Sequence, residues 1–355
     1  MTRHRERGAV LLLVLFFALL LTSTIVTLVK HALVDSLIAR NREAAAHAEA
    51  LARGGVQLAG ALLVEDRMRE GGNPELMMDT YSDLWARAGE VDLVVGAGTI
   101  RVRIEDSGAR FNLNALFSRG DDGTLVPQRQ AEPFLVAMFE KVIDEIDLLP
   151  QDKNYEPREL AANLLDYVDE DEVRQRGGDE DEYYQSQTPP YRPANGALMS
   201  PDELRLIEGF DGALVDALMP YVTVYPFATG GCKRANVGCG VNLNTAPPHV
   251  LALLFFDDGV DLRLTQEDTV RRILRVREEG GLICKTAVKN QSKSGEDCTP
   301  ISEIVTNAIF PPPTYSSEVF RIESVATVGE VSRSVVAVID RSDLADLRLL
   351  SWRVQ

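Results

Sequence analysis

Residues 7–29 read RGAVLLLVLFFALLLTSTIVTLV, an apolar run that follows a short charged segment. No ionisable side chain occurs between Ala9 and Val29, and this is about the length that an α-helix needs to cross a hydrocarbon core of roughly 30 Å. A secretory signal peptide carries its small-residue cleavage site after a shorter apolar core, whereas here Gly8 precedes the core. The segment therefore predicts a membrane-spanning helix that remains on the mature protein.

The junction between Gly8 and Ala9 resembles the class III signal of type IV pilins and pseudopilins, which a prepilin peptidase cleaves. The resemblance implies cleavage between these two residues and N-methylation of Ala9, with residues 1–8 as leader and residues 9–29 as the transmembrane part of the helix. An ordinary uncleaved signal anchor is the alternative, and this segment alone favours neither. Basic residues before a span hold that end in the cytoplasm, so we expect a single-pass inner-membrane protein with a cytoplasmic N-terminus and a periplasmic main body.

The length and the net charge of the chain limit the functions that the rest of it can have. The 355 residues suffice for two domains and a sizeable core, and they carry a formal net charge of −17. This charge repels the phosphates of nucleic acids, so we expect no nucleic-acid partner. It is suited to cation binding, and to calcium in particular if the main body lies outside the cytoplasm.

The four cysteines form two close pairs in the sequence, Cys232 with Cys239 and Cys284 with Cys298. Neither pair has the C-x-x-C spacing and no histidine lies near them, which argues against a zinc site. Two local disulfides are the favoured interpretation, and they agree with a periplasmic location. Free buried cysteines are the alternative.

The apolar pattern continues beyond Lys30 as one stripe on a helix. Apolar residues recur at spacings of three, four and seven, at Leu33, Leu37, Ala44, Ala48, Leu51, Leu58 and Leu62. No proline occurs before Pro74, so we expect an unbroken helix to about Arg69. Some sixty residues at 1.5 Å each make a helix of about 90 Å. A coiled-coil stalk is the alternative, but the stripe is too short and too rich in alanine for it.

Strand patterns flank a mostly helical middle region. Residues 91–104 predict one hairpin, with Ile100, Val102 and Ile104 alternating on one face, and residues 319–339 predict another. Residues 347–354 form a candidate last strand. The fold class is therefore α+β, a pilin-like fold in which a long N-terminal transmembrane helix packs on an antiparallel sheet and a mostly helical domain is inserted.

The predicted domain boundaries follow from this order of elements. Residues 30–124 contain the periplasmic helix and the first strands of the pilin-like domain. Residues 125–225 are the inserted helical domain, and residues 226–355 are the remainder of the pilin-like domain.

The middle region contains a dense acidic run. Nine carboxylates occur from Asp166 to Glu182 around a glycine pair, and they repel one another unless something neutralises them. Oxygen ligands at this spacing suit calcium. The EF-hand pattern fails from Asp171 onward, because Val173 stands at its third place and Arg176 at its sixth. A calcium site of another type and a solvated acidic loop both remain open.

The polar residues do not form a recognisable catalytic pattern. The four histidines lack a Ser/Asp or Cys partner at a typical spacing, and no nucleophile elbow occurs. Two Asn-Leu-Asn pieces, at 112–114 and 242–244, supply amides, which bond backbone groups but provide no general base or nucleophile. We therefore expect a protein that is not an enzyme.

Residues 204–218 resemble a helix-hairpin-helix element around Gly209. Such elements bind DNA phosphates through backbone amides at the glycine turn. Acidic residues, including Glu208 and Asp211, surround this turn and oppose phosphate. We interpret the element as a packed helical pair in a protein-contact domain.

Together these features resemble the minor pseudopilin K family of type II secretion (general secretion pathway protein K). The resemblance covers most of the chain, and it is carried by the leader together with residues 112–114 (NLN), 162–169 (ANLLDYVD), 180–184 (EDEYY), 200–204 (SPDEL) and 241–246 (VNLNTA), with Tyr191 and Asn195. The fifth mature residue is Leu13, where most pilins and major pseudopilins have a glutamate that pairs with a neighbouring subunit. Its absence suits a subunit at the tip of a filament.

The resemblance implies a tip subunit that packs against minor pseudopilins I and J above the major pseudopilin. Such a subunit primes growth of the pseudopilus and supports export of folded proteins across the outer membrane. The resemblance also implies calcium in the inserted domain, with Asp169, Asp171, Glu180 and Asp181 as candidate ligands. Two alternatives are a minor pilin of a type IV pilus, against which Leu13 counts, and a periplasmic DNA-binding protein that uses the helix-hairpin-helix element.

Overall fold

The computed structural model describes residues 3–69, 77–147, 154–171, 173–227, 240–257, 262–285 and 298–355. Its α-helices are α1 (Arg3–Arg69), α2 (Ala131–Glu145), α3 (Pro157–Val168), α4 (Asp181–Gln185), α5 (Gly212–Leu218), α6 (Pro248–Leu251), α7 (Glu267–Glu278) and α8 (Ile301–Ile304). Its strands are β1 (Leu93–Val95), β2 (Gly98–Asp106), β3 (Phe111–Asn112), β4 (Phe117–Arg119), β5 (Leu125–Pro127), β6 (Val222–Thr223), β7 (Phe255–Asp257), β8 (Leu262–Leu264), β9 (Ile283–Cys284), β10 (Thr299–Pro300), β11 (Ala308–Phe310), β12 (Val319–Val328), β13 (Val331–Asp340) and β14 (Arg348–Val354). Short 3-10 helices lie at Ala88–Glu90, Ser107–Ala109, Leu113–Leu116 and Pro201–Leu206.

Helix α1 is continuous over 67 residues, which confirms the predicted unbroken helix to about Arg69. Within the described ranges it is the one helix long and apolar enough to cross a membrane. Its large apolar side chains from Val10 to Ile38 are exposed, whereas from Ala48 onward one side of the helix is buried. The N-terminal half of the helix, which we call the lower half, therefore makes no contact within the described ranges that buries its large apolar side chains from Val10 to Ile38, whereas the C-terminal or upper half packs against the rest of the chain.

The main sheet has five antiparallel strands in the order β1-β2-β12-β13-β14. Both predicted hairpins are present as β1–β2 and β12–β13, and the predicted last strand is β14. Side chains in β2 alternate, so that Ile100, Val102 and Ile104 are buried on the face that α1 covers. The structure thus places the long helix on one face of the sheet, as the hydrophobic pattern predicted.

Small residues bring α1 close to the sheet. Its buried face consists of Ala48, Ala52, Val56, Ala59 and Leu63. Gly55 lies against the central strands, where a Cβ atom would approach Ile100 Cγ2 to 2.9 Å. Phe320 and Trp85 extend this core with an edge-to-face ring contact at 5.0 Å.

The inserted region is larger than the predicted 125–225. Strand β2 pairs directly with β12, from Asp106↔Phe320 to Gly98↔Val328, so the described chain between 107 and 318 lies outside the sheet order. The described residues between 240 and 310, predicted as part of the pilin-like domain, instead contribute to a core shared with α2 and α3, as the ring contacts of Phe134 with Phe255 and Phe310 show. The limit at residue 225 was drawn from local patterns, and the short strands of this region carry too little periodicity to show which elements they pack against.

A buried polar network joins the insertion to the sheet. The Arg341 guanidinium is fully buried, pairs with Asp79 and donates to the Ser317 carbonyl at 3.3 Å. Asn242 donates to Asp106 Oδ2 at 3.0 Å. The Asn-Leu-Asn residues therefore bond neighbouring chain segments, the structural role that the sequence favoured.

Candidate functional site

The acidic run folds into a loop between α3 and α4. Asp169 follows the last residue of α3, and Glu180 stands just before α4. Between them Gly177 and Gly178 have φ values of 82° and 114°, a backbone region that favours glycine. This turn returns the chain so that Glu180 lies beside Asp169.

Three of the carboxylates meet in this loop. Asp169, Asp171 and Glu180 each place a carboxylate oxygen within 4.8 Å of the others. Asp169 is 4% exposed and Glu180 is 2% exposed, whereas Asp171 faces solvent. Asp169 Oδ1 and both Glu180 oxygens are buried and accept no hydrogen bond from the described residues. Buried carboxylate oxygens without partners are costly when they are charged, and either protonation or a bound cation would offset this cost.

Burial and mutual repulsion hold protons on these carboxyls. Burial first, and then the nearby Asp171 and Asp166, raise the pKa of Asp169 to about 7. Burial first, and then the charges of Asp169, Asp166 and Asp171, raise the pKa of Glu180 to about 8. Burial raises the pKa of Asp166 to about 6, against a backbone hydrogen bond from Gln175 that lowers it. A cation at this point would release the protons and remove the repulsion.

The donor set fits a hard divalent cation. Calcium is held by carboxylate oxygens, which bind through one oxygen or both, and Glu180 offers both of its oxygens. The Val173 N–H occupies one oxygen of Asp171 at 2.8 Å. The nearby Arg174 pairs with Glu208 at 2.5 Å. Asp169, Asp171 and Glu180 are therefore the residues that would hold calcium, whose charge would neutralise the cluster.

The fourth predicted ligand, Asp181, stands apart from these three. Its backbone N–H bonds Asp179 at 2.9 Å, and its carboxylate lies 3.8 Å from Arg192 Nε. Asp166, in contrast, was not among the predicted ligands, although its carboxylate contributes to the raised pKa of Glu180. Its position three residues before Asp169 at the end of a helix was the available signal, because such residues share a helix face.

A second acidic group has a different environment. Asp66, Asp79 and Asp83 also lie close together and are buried. Arg341 approaches Asp66 at 3.3 Å, and Arg67 lies 3.9 Å from Asp79. These guanidinium groups neutralise the carboxylates, so we assign this group to the structural network.

The helix-hairpin-helix element consists of the 3-10 helix Pro201–Leu206 and α5. Gly209 has a φ of 86°, and a Cβ atom there would lie 3.0 Å from Leu160 of α3. The Glu208 carbonyl accepts a hydrogen bond at 3.0 Å from the side chain of Asn163, which also belongs to α3. The turn is therefore packed against α3, as expected for a packed pair, although its first helix is of the 3-10 type.

The other residues predicted to have a role are the two cysteine pairs and the cleavage junction at Gly8 and Ala9. Cys284 and Cys298 form a disulfide with a Cα–Cα distance of 5.9 Å, beside the parallel pair β9–β10. Cys232 and Cys239 lie outside the described residues. Gly8 and Ala9 belong to the first turns of α1.

Comparison with known proteins identifies similar sequences along most of the chain. A family model described as "Type II secretion system (T2SS), protein K" matches residues 109–227. The type II secretion system protein K of Klebsiella pneumoniae is 31% identical over 283 residues, which cover 78% of this chain and 77% of that protein. The Aeromonas hydrophila protein is 29% identical over 260 residues, with 72% and 71% covered.

Comparison with solved structures also finds a similar fold. A chain in the crystal structure of the GspK-GspI-GspJ complex from the enterotoxigenic Escherichia coli type 2 secretion system matches with a TM-score of 0.55. It is 20% identical, and the match covers 89% of this chain and 99% of that chain. The likeness shows the fold, and it confirms the pilin-like α+β class predicted from the sequence.

Proposed function

Because this chain belongs to the type II secretion system protein K family, we propose that it is a non-enzymatic minor pseudopilin at the tip of the pseudopilus. In this role it packs against minor pseudopilins I and J above the major pseudopilin, and the complex primes filament growth. Growth of that filament supports export of folded proteins across the outer membrane. The similar solved complex contains GspI and GspJ together with GspK, which supports this choice of partners.

The two halves of α1 carry the proposal. The upper half is buried against the sheet from Ala48 onward, and the lower half exposes apolar side chains from Val10 to Ile38. Such a surface is stable in a bilayer or against other apolar helices. Before assembly, the exposed half of α1 anchors the subunit in the inner membrane, and after assembly the same half packs against the helices of other subunits in the filament.

Processing and orientation follow from the N-terminal residues. Arg3, Arg5 and Arg7 precede the apolar run, so the N-terminus stays in the cytoplasm and the main body is periplasmic. Prepilin peptidase cleaves between Gly8 and Ala9 and methylates Ala9. Mass spectrometry of the membrane-extracted protein tests this step, and residues 1–8 still attached would contradict it.

Calcium is the proposed ion of the acidic loop. Its ligands are Asp169, Asp171 and Glu180, and the unpartnered buried oxygens of Asp169 and Glu180 support it. The ion ties the end of α3 to the start of α4, so it stabilises the insertion and takes no part in chemistry.

Co-purification tests the assembly. The full chain, extracted in detergent after co-expression with minor pseudopilins I and J of the same cell, is expected to elute with both at a fixed ratio. Elution of the chain alone would contradict the tip assignment. A gel shift at low salt tests the alternative that the chain is a DNA-binding protein, because a shift of the DNA band would favour that alternative.

A further inference from the structure

The main sheet is wider than the helix that covers it. Five strands at about 4.8 Å spacing span about 19 Å, whereas a helix with its side chains is about 10–12 Å wide. Helix α1 packs on the three central strands, β2, β12 and β13. The helix-side faces of the two edge strands, β1 and β14, therefore extend beyond it.

Strand β14 carries apolar side chains on this uncovered shelf. Its register with β13 pairs Leu349 with Ile339, Trp352 with Ala337 and Val354 with Val335. Those three β13 residues all belong to the core beneath α1, and paired residues share a face of the sheet. Leu349, Trp352 and Val354 thus lie on the helix side, and they are 56%, 37% and 40% exposed. We call these three residues the β14 shelf.

The groove between α1 and the β14 shelf is bounded by a different kind of side chain at each end. At one end a Cβ atom on Gly60 would lie 3.2 Å from Leu347, which packs into the core beneath α1. Farther toward the N-terminus of α1, the Arg53 guanidinium lies 5.8 Å from the centre of the Trp352 ring. The Arg53 side chain is 54% exposed and pairs with Glu49 at 2.6 Å, so a solvent-exposed side chain bounds the groove at the end nearer the N-terminus of α1, whereas a core residue fills the other end.

We propose that the β14 shelf is the docking surface for the N-terminal helix of a second membrane-anchored pseudopilin. A helix that leaves the bilayer beside α1 first meets the exposed stripe at Leu33, Leu37 and Ile38. Continuing along α1 away from the membrane, it then passes the exposed Arg53 side chain, enters the groove and stops at Leu347. Packed helices lie about 8–10 Å apart, which places the second helix over the shelf.

The chemistry of the shelf fits a protein helix as its occupant. Trp and Arg are the side chains enriched at the energetic centres of interfaces, and here Trp352 and Arg53 lie together. The opposite edge offers Leu93 and Val95 on a strand of three residues, against seven residues in β14. The inference rests on the proposed function, because it assigns one surface to a partner of the tip complex.

Site-specific crosslinking in the full-length chain tests the proposal. A benzophenone side chain at position 352, with minor pseudopilins I and J co-expressed in the membrane, is expected to crosslink to the N-terminal helix of one of them. The matched control is position 351, because Ser351 pairs with Val338 and lies on the opposite face of β14. Adducts only with lipid, with the same chain or with a second copy of it would overturn the proposal.

A pair of variants gives an independent measure. Trp352→Glu is expected to lower the amount of partner recovered by about tenfold or more, and Ser351→Glu is expected to leave it unchanged. Equal thermal unfolding of both variants and the parent shows that the fold is intact. Unchanged recovery with Trp352→Glu would overturn only the docking surface, whereas failure of the parent chain to recover a partner would remove the proposed function with it.

Discussion

Gly55 of α1 lies directly against Ser324 of the central strand β12. A Cβ atom at this position would overlap the Ser324 hydroxyl and approach Ile100 Cγ2 to 2.9 Å. Ser324 is fully buried, so it has little room to move away. This contact sets how closely the long helix approaches the sheet, whereas the preceding Gly54 has no atom within 4 Å of its would-be Cβ.

The two neighbouring glycines provide a matched pair of substitutions. We expect Gly55→Ala to destabilise the fold by about 1–3 kcal/mol, because it overpacks the helix–sheet core. Gly54→Ala adds a methyl group in open space on a helix, and we expect it to stabilise by about 0.5–1 kcal/mol. Thermal unfolding of the detergent-extracted chain measures both, and equal midpoints for the two variants would contradict the close packing.

Arg341 is the basis of a second prediction. Its guanidinium is fully buried, pairs with Asp79 and lies 4.4 Å from the Phe320 ring centre. Arg341→Met removes the guanidinium that pairs with both Asp66 and Asp79 and, among the described residues, leaves only Arg67, 3.9 Å from Asp79, to offset their charge, so we expect a loss of about 3–5 kcal/mol. Arg333→Met is the control, because Arg333 is exposed on the adjacent strand β13, and we expect a change within about 0.5 kcal/mol. Chemical denaturation measures the difference, and similar losses would contradict the network.

The sequence predicted α1 and the sheet because their patterns are periodic. The 3.6-residue stripe and the alternation in residues 100–104 are local signals, and each element appears where it was expected. The extent of the insertion was not predictable in this way. Its core depends on contacts such as Phe134 with Phe310, which join residues far apart in the chain, and short strands carry little periodicity of their own.

The acidic site shows the same limit. Composition and the glycine pair left a cation site and a solvated acidic loop both open, and the family resemblance implied calcium; Asp169 and Glu180 do lie together in this loop. Asp181 follows Glu180 directly, yet its carboxylate lies beside Arg192. Charge density alone does not say which carboxylates point inward, because that depends on the turn at Gly177 and Gly178 and on the direction of each side chain.

Calcium binding leads to the third prediction. We expect added calcium to raise the unfolding midpoint and a chelator to reverse the effect, with about 2.7 kcal/mol gained at one hundred times the dissociation constant. Glu180→Gln should abolish the response, because Glu180 supplies two buried unpartnered oxygens. Glu182→Gln is the control, since this exposed neighbour lies outside the cluster. A midpoint that calcium does not move in the parent chain would contradict the site.

The fourth prediction concerns pH in the chelated protein. Folding raises the pKa of Asp169 to about 7 and of Glu180 to about 8, whereas in the unfolded chain these groups titrate near their ordinary values of about 4. Between these limits the folded state holds more protons than the unfolded state, so stability falls as the pH rises. The contribution is fully present below about pH 4 and is lost once the pH passes about 8.

Calcium should remove this dependence, because it replaces the protons as the neutralising charge. We therefore expect the unfolding midpoint to fall by a few degrees between about pH 5 and 8 in chelator, and to fall much less in calcium. Glu180→Gln should make the chelated profile shallower, since the glutamine does not titrate whereas the Asp169 carboxyl, whose pKa burial raises to about 7, still does, while Glu182→Gln should follow the parent. Parallel profiles for the parent and Glu180→Gln in chelator would show that the cluster does not hold protons in the folded state.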